Sequence, residues 1–218
     1  MTGGAIRVGR AIALALADAG FDVAIAFHRS AAEARRTVED LRRRGVKAIA
    51  IRADLRDARA ARTLVAEAAP RAGRGLDVLV NSAALFEKTP LASATRARWD
   101  ELIALNLRAA FFCTQAAAAR MIDGGHVVNV SDVITRAPRP GWAAYTSSKA
   151  GLEAVTRTLA LELRDLPTTH HRPDPRGGRR GVTAARPPRA LTRRTGPRRA
   201  SRYSRGSTSY QAGDGPAD

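Results

Sequence analysis

Residues 2–27 read TGGAIRVGRAIALALADAGFDVAIAF. Glycines at 3, 4 and 9 give a backbone that can turn sharply and approach a bound group closely. Arg10–Ala19 is alanine-rich and reads as a helix opened by that turn. The helix start offers unpaired N–H groups and the positive end of the peptide dipole, a seat for phosphate. Asp22–Phe27 is short, apolar and β-leaning. A glycine turn of this kind serves structure as readily as nucleotide binding, so the elements downstream of it decide its meaning.

The alternation continues. Ala31–Arg44 reads as a helix with a charged face, Val46–Arg52 as a strand, Asp57–Arg71 as a helix and Leu76–Asn81 as a strand. A long helical region covers Arg98–Met121, then come a strand at His126–Ser131 and a helix at Ala143–Leu163. Short apolar strands between amphipathic helices predict an α/β chain: a parallel sheet with helices on both faces. Residues 1–164 form this domain. From Asp165 the periodicity stops. Residues 165–218 carry 12 Arg, 4 Asp and 7 Pro. They are expected to form an Arg/Pro/Gly-rich tail, disordered from about residue 167, because such a segment buries too little apolar surface to offset its conformational entropy.

The net charge of +17 would suit a nucleic-acid or membrane-surface partner. Its distribution argues otherwise: +9 lies on residues 1–164 and +8 on the tail, and Arg outnumbers Lys 34 to 3. That bias fits a GC-rich coding sequence. The tail also lacks interleaved aromatics, with only Tyr203 and Tyr210. No membrane partner is expected, since no apolar run approaches the ~20 residues of a span. One cysteine, Cys113, excludes a disulfide framework and suits a reducing cytoplasm. It reads as a small buried hydrophobe. His170-His171 lacks further ligands, so no metal site is expected.

Candidate site residues stand at element ends. His28-Arg29-Ser30 follows the first strand, where dinucleotide-binding folds read the adenosine ribose. A guanidinium and a hydroxyl there suit a 2′-phosphate, which favours NADPH/NADP over NADH. Tyr145 and Lys149 are four apart on a helix and share a face. A neighbouring ammonium is expected to lower the Tyr pKa from its usual ~10. Asp132 stands at the end of the preceding strand. Its bland reading is a local Asx turn; its functional one is a carboxylate that accepts a hydrogen bond from Tyr145 or from substrate N–H groups.

Taken together, the Gly-rich turn, Asp54-Leu55, Asn81-Ser-Ala-Ala84, Asn106 and Tyr145-xxx-Lys149 resemble the short-chain dehydrogenase/reductase family. The resemblance covers residues 2–164. It implies a Rossmann-type doubly wound sheet, with cofactor contacts at Gly3, Arg7, Val8, Gly9, His28, Arg29, Ser30, Asp54, Leu55, Asn81, Ala83, Tyr145 and Lys149. Asp54 would contact adenine, and Lys149 the nicotinamide ribose. Asn106 would support a water chain from Lys149 to solvent. Arg7 in a usual Gly position, Asp132 in a usual Ser position, and Phe86 together resemble the pteridine reductase branch. There, Asp132, Tyr145 and Lys149 would relay a proton, and Phe86 would sandwich a pterin. The implied function is an NADPH-dependent reductase of a small pterin-like C=N. The alternative is a general carbonyl or 3-oxoacyl reductase. A homo-oligomer is implied, and nucleic-acid binding through the tail is a third reading.

Two departures stand out. The family places a strand before the Gly-rich turn, between the strands at Asp22–Phe27 and Leu76–Asn81, and Met1 directly precedes the turn. After Leu163 the family's last strands are not recognisable. A start inside the first strand and a reading-frame change near residue 165 are the expected origins. The sheet is therefore expected to be incomplete, which puts the activity of this chain in question.

Overall fold

A computed structural model describes residues 1–57, 59–69, 75–163 and 181–184. Helix α1 (Arg7–Asp18) leads into β1 (Val23–Phe27), α2 (Ala31–Arg42), β2 (Ala48–Arg52), α3 (Ala60–Ala68) and β3 (Leu76–Asn81). Next come α4 (Arg96–Ile103), a π-helical turn (Ala104–Arg108), α5 (Ala109–Ala118) and β4 (Met121–Asn129). A 3₁₀ turn (Val133–Thr135), α6 (Ala143–Glu162) and β5 (Gly181–Ala184) complete the order. All strand pairs are parallel: β1 with β2, β3 with β4, and β4 with β5.

Among the described residues, the two strand groups are bridged through Thr2, which makes isolated parallel bridges to Ala26 and to Asn81. Met1 and Thr2 thus stand in the place expected for the first strand, and mark it without filling it. Strand alternation divides the core. Val23, Ile25 and Ala48 pack with Ala13, Ala17 and Leu41 under α1 and α2. Ala26, Ile51, Leu79 and Val127 pack with Leu64, Val65, Cys113 and Ala117 under α3 and α5. Helices therefore cover both faces, as the apolar strands require. Cys113 is buried among these side chains, and burial pushes its thiol up to about 12.

Two expectations need correction. The helical region predicted over Arg98–Met121 starts at Arg96 and is interrupted by the π turn. The buried Asn106 lies in that turn and makes hydrogen bonds out of the helix to Leu85. The tail is also not wholly irregular: Gly181–Ala184 pairs with His126–Asn129, which extends the sheet beyond β4. Val-Thr supplies two β-branched residues there, a signal too short to stand out from its Arg- and Pro-rich surroundings. The other residues assigned to the tail, with His170-His171, Tyr203 and Tyr210, lie outside the described residues. No helix among the described residues is long and apolar enough to cross a membrane.

Candidate active site

The glycine turn closes on itself tightly. A Cβ on Gly9 would sit 2.0 Å from the Gly3 carbonyl oxygen. Gly3 has φ +63°, and a Cβ there would come within 2.8 Å of Ala83. Arg7, where glycine would be free, adopts φ +49°. That left-handed conformation costs a residue with a Cβ about 1–2 kcal/mol. Ile6, Arg7 and Val8 are exposed around the start of α1. No side chain caps this helix start, and its first turn holds no acidic residue. The N–H groups are left for a ligand, and a cradle this close to the backbone fits a pyrophosphate.

Thr2 fastens the turn to the end of β3. Its N–H donates to the Val80 carbonyl at 2.8 Å. Its Oγ1 accepts from the N–H groups of Ser82 and Ala83 at 3.0 and 3.1 Å. Beyond β1, His28 and Ser30 are half-buried and Arg29 is exposed. His28 Nε2 lies 3.6 Å from Asp54 Oδ2. Asp54 is also held by Arg56, at 2.7 Å to Nη2, and Arg56 in turn pairs with Glu101. The Arg56 guanidinium keeps the Asp54 carboxyl well down, at about 2. Asp54 is therefore a fixed anion at the rim, with neighbouring Leu55 buried beneath it.

Asn81 does not face the turn. It is buried, and its amide donates to Asn129 Oδ1 at 2.8 Å, while Asn129 donates to Thr156. This chain of polar groups ties β3 and β4 to α6. Ala83 instead lies against Gly3.

Asp132, Tyr145 and Lys149 come together. Asp132 ends β4's outgoing loop and divides its two oxygens. Oδ1 accepts from the Ile134 N–H at 2.9 Å, which caps the 3₁₀ turn. Oδ2 accepts from the Tyr145 hydroxyl at 2.8 Å. The same side chain thus makes the local turn and accepts the Tyr145 hydroxyl. Burial and this carboxylate together push the Tyr145 phenol upward. The expected downward shift from Lys149 is overridden, because the ammonium lies 6.0 Å from the ring centre while the carboxylate touches the hydroxyl. Lys149 is buried and donates to the Val130 carbonyl at 2.8 Å. Burial draws its pKa down to about 8, against the opposing pull of Asp132.

Asn106 is buried, and its amide bonds Leu85 N–H and C=O at 2.8 and 2.9 Å and Ser148 Oγ at 3.0 Å. It fixes the loop that carries Phe86. Asn106 and Lys149 also line a cavity of about 10 Å³ beside Thr2. Phe86 is exposed and stacks on Trp142, with centroids 4.3 Å apart and 28° between planes. Both rings stand edge-on to Tyr145, at 4.9 and 5.8 Å.

Sequence reading missed several supports. Trp142 lies in a loop with no period to betray it. Ser148, Thr2 and Glu153 act only through contacts. Glu153 accepts from Ser131 at 2.7 Å and Thr135 at 3.0 Å, which fastens the Asp132 loop to α6. Ser131, one residue from Asp132 on an extended chain, thus points away from Tyr145.

A glycine cradle at a helix start, a strand-end cation, and a Tyr–Lys pair on one helix face beside a strand-end residue define a nucleotide-linked oxidoreductase site. The short-chain dehydrogenase model matches residues 1–167, and the chain belongs to that family. The chain is 35% identical over 165 residues to a 3-oxoacyl-[acyl-carrier-protein] reductase of Staphylococcus aureus, covering 75% of this chain and 67% of the relative. A short-chain dehydrogenase from Burkholderia cenocepacia, crystallised with NADP, matches at 40% identity and TM-score 0.72 over 74% of this chain and 66% of that one. A blue fluorescent protein from a metagenomic library, solved with NADPH, matches at 38% identity and TM-score 0.71, with the same two coverages. This chain spans about two thirds of the length of these relatives.

Proposed function

We propose that this protein is an NADPH-dependent reductase whose substrate is a flat heteroaromatic C=N compound of the pterin type. The observation that carries this reading is the 2.8 Å hydrogen bond from Tyr145 to Asp132 beneath the Phe86–Trp142 pair. The cofactor, when bound, supplies hydride. Gly3, Val8 and Gly9 would hold its pyrophosphate. Arg7, His28, Arg29 and Ser30 would hold a 2′-phosphate. Asp54 and Leu55 would border the adenine, Ala83 and the Asn81 loop the middle of the molecule, and Tyr145 and Lys149 the nicotinamide ribose.

Tyr145 stays protonated well above neutral pH, so it is set to donate rather than to abstract. Where hydride adds to the ring carbon, Tyr145 would give its proton to the adjacent nitrogen. Asp132 orients the hydroxyl and accepts from substrate N–H groups. Lys149 stabilises the phenolate that forms. An aromatic wall favours a planar ring over an aliphatic chain. Asn106 and Glu153 hold the two loops in place.

A second reading, a general carbonyl or 3-oxoacyl reductase, is favoured by the activity of the Staphylococcus relative. NADPH oxidation with dihydrobiopterin and with acetoacetyl thioester decides between them. The pterin reading expects turnover of dihydrobiopterin that falls at least ~100-fold in Asp132→Ser, with carbonyl reduction retained. Turnover of the thioester alone, unharmed or improved by that substitution, would establish the second reading.

A further inference from the structure

The ends of β1 and β2 stand side by side. Phe27 is in register with Arg52, and the Ala53 N–H donates to the Phe27 carbonyl at 2.8 Å. The residues that follow the two strands therefore share one rim, with His28, Arg29 and Ser30 on one side and Asp54 and Arg56 on the other. Across it, Asp54 Oδ2 lies 3.6 Å from His28 Nε2. A carboxylate at this point conflicts with a bound phosphate. An unpaired anion beside His28 would repel a 2′-phosphate, and would accept instead from the free ribose hydroxyls of NADH.

Arg56 removes that conflict. Its guanidinium grips Asp54 as a fork, with Nη2 donating to Oδ2 at 2.7 Å and Nε to Oδ1 at 2.9 Å. Both carboxylate oxygens are engaged, and the charge is matched. The third nitrogen, Nη1, donates to Glu101 Oε1 at 2.8 Å. The other Glu101 oxygen accepts from Arg98, and Arg98 reaches Glu87 at 3.2 Å. The backbone is held too. The Arg56 N–H donates to Asp54 Oδ1 at 3.1 Å, and its carbonyl accepts from Arg108 Nη2 at 2.8 Å. A surface ion pair contributes little to stability. This one is fixed from several sides, and it decides what charge the rim shows to a ligand.

We propose that Arg56, in a chain that takes NADPH as proposed above, is a specificity-determining residue that acts through Asp54. It neutralises the rim carboxylate and so lets the adenosine 2′-phosphate settle beside His28, Arg29 and Ser30. Arg56 is a positioning residue, because its guanidinium is engaged by Asp54 and Glu101 and makes no contact of its own to the nucleotide. That separates it from Arg7 and Arg29, which are exposed and would touch the phosphate directly.

NADPH and NADH differ only in the 2′-phosphate, so the ratio of their dissociation constants isolates this effect from damage to the rest of the site. Fluorescence titration of the whole chain gives that ratio for the protein, for Arg56→Met, for Arg56→Lys and for the double variant Asp54→Asn/Arg56→Met. Arg56→Met bares Asp54, and the preference for NADPH is expected to fall roughly tenfold, chiefly through weaker NADPH binding. Arg56→Lys keeps the charge and loses the fork, and is expected to stay within about threefold of the unsubstituted protein. The double variant removes the carboxylate along with its partner, and is expected to recover most of the preference. An unchanged ratio in Arg56→Met would overturn the proposal and leave the NADPH reading standing. Equal losses for both nucleotides would do the same, by making Arg56 a support of the fold alone. A double variant as unselective as Arg56→Met would overturn it by making Arg56 a direct phosphate contact. An unsubstituted protein that binds both nucleotides equally would overturn the NADPH reading itself, and this proposal with it.

Discussion

Tyr145 and Lys149 share a helix face but not a charge state. Burial and Asp132 hold the phenol neutral, while burial weakens the ammonium. The consequence is a pH dependence of stability with a definite sign. Unfolded Lys titrates near 10.5 and folded Lys149 at about 8. Between these values the unfolded chain binds more protons, so the penalty present below pH 8 is relieved as pH rises. Tyr145 acts in the same upward window only above pH 10, where unfolded Tyr ionises, the folded phenol does not, and stability is lost. From pH 8 to 10 the protein should therefore gain about 2–3 kcal/mol of unfolding free energy from Lys149. Urea unfolding of the protein and of Lys149→Met across that window checks this: the gain should vanish in the variant.

Arg7 offers a second test at this scale. Arg7→Gly relieves the left-handed strain but frees the unfolded chain, for a net stabilisation of about 0.5–1 kcal/mol. NADPH affinity should nonetheless fall about tenfold or more, through loss of a charge-assisted contact to the 2′-phosphate. Equal affinity in the two proteins would remove Arg7 from the cofactor site. The placement of these residues was legible in sequence because each sits at a fixed offset from an element end. Trp142 was not, since its partner Phe86 lies 56 positions away and only the fold brings the rings together.

At the scale of elements, the turn before α1 and the loop after β3 form one unit. Thr2 Oγ1 joins them through the N–H groups of Ser82 and Ala83. Thr2→Val keeps the shape and removes the acceptor. It should destabilise the protein by about 1–3 kcal/mol and weaken NADPH binding, readable together in denaturant unfolding and a fluorescence titration. Unchanged stability would mean that solvent satisfies both groups. The helix–strand alternation was legible because the apolar periods are strong. The π turn was not, since it arises from the bonds that Asn106 makes to Leu85 and Ser148. Those partners are 21 and 42 residues distant. β5 was missed for the opposite reason: four residues carry little pattern, and their place is set by the open edge of β4.

At the scale of the molecule, two strand groups are joined, among the described residues, by the bridges of Thr2, while helices clothe both faces. The glycine turn proposed to hold the cofactor lies at that seam, since Gly3 stands close against Ala83 across it. Cofactor binding therefore reports the integrity of the sheet as well as the chemistry of its loops. The direct measurement is fluorescence titration of the purified chain with NADPH and, in parallel, NADH. The account predicts saturable NADPH binding at least about tenfold tighter than NADH, from the charge-assisted contacts at Arg7 and Arg29. A cooperatively folded chain that binds the two equally, or binds neither, would contradict it.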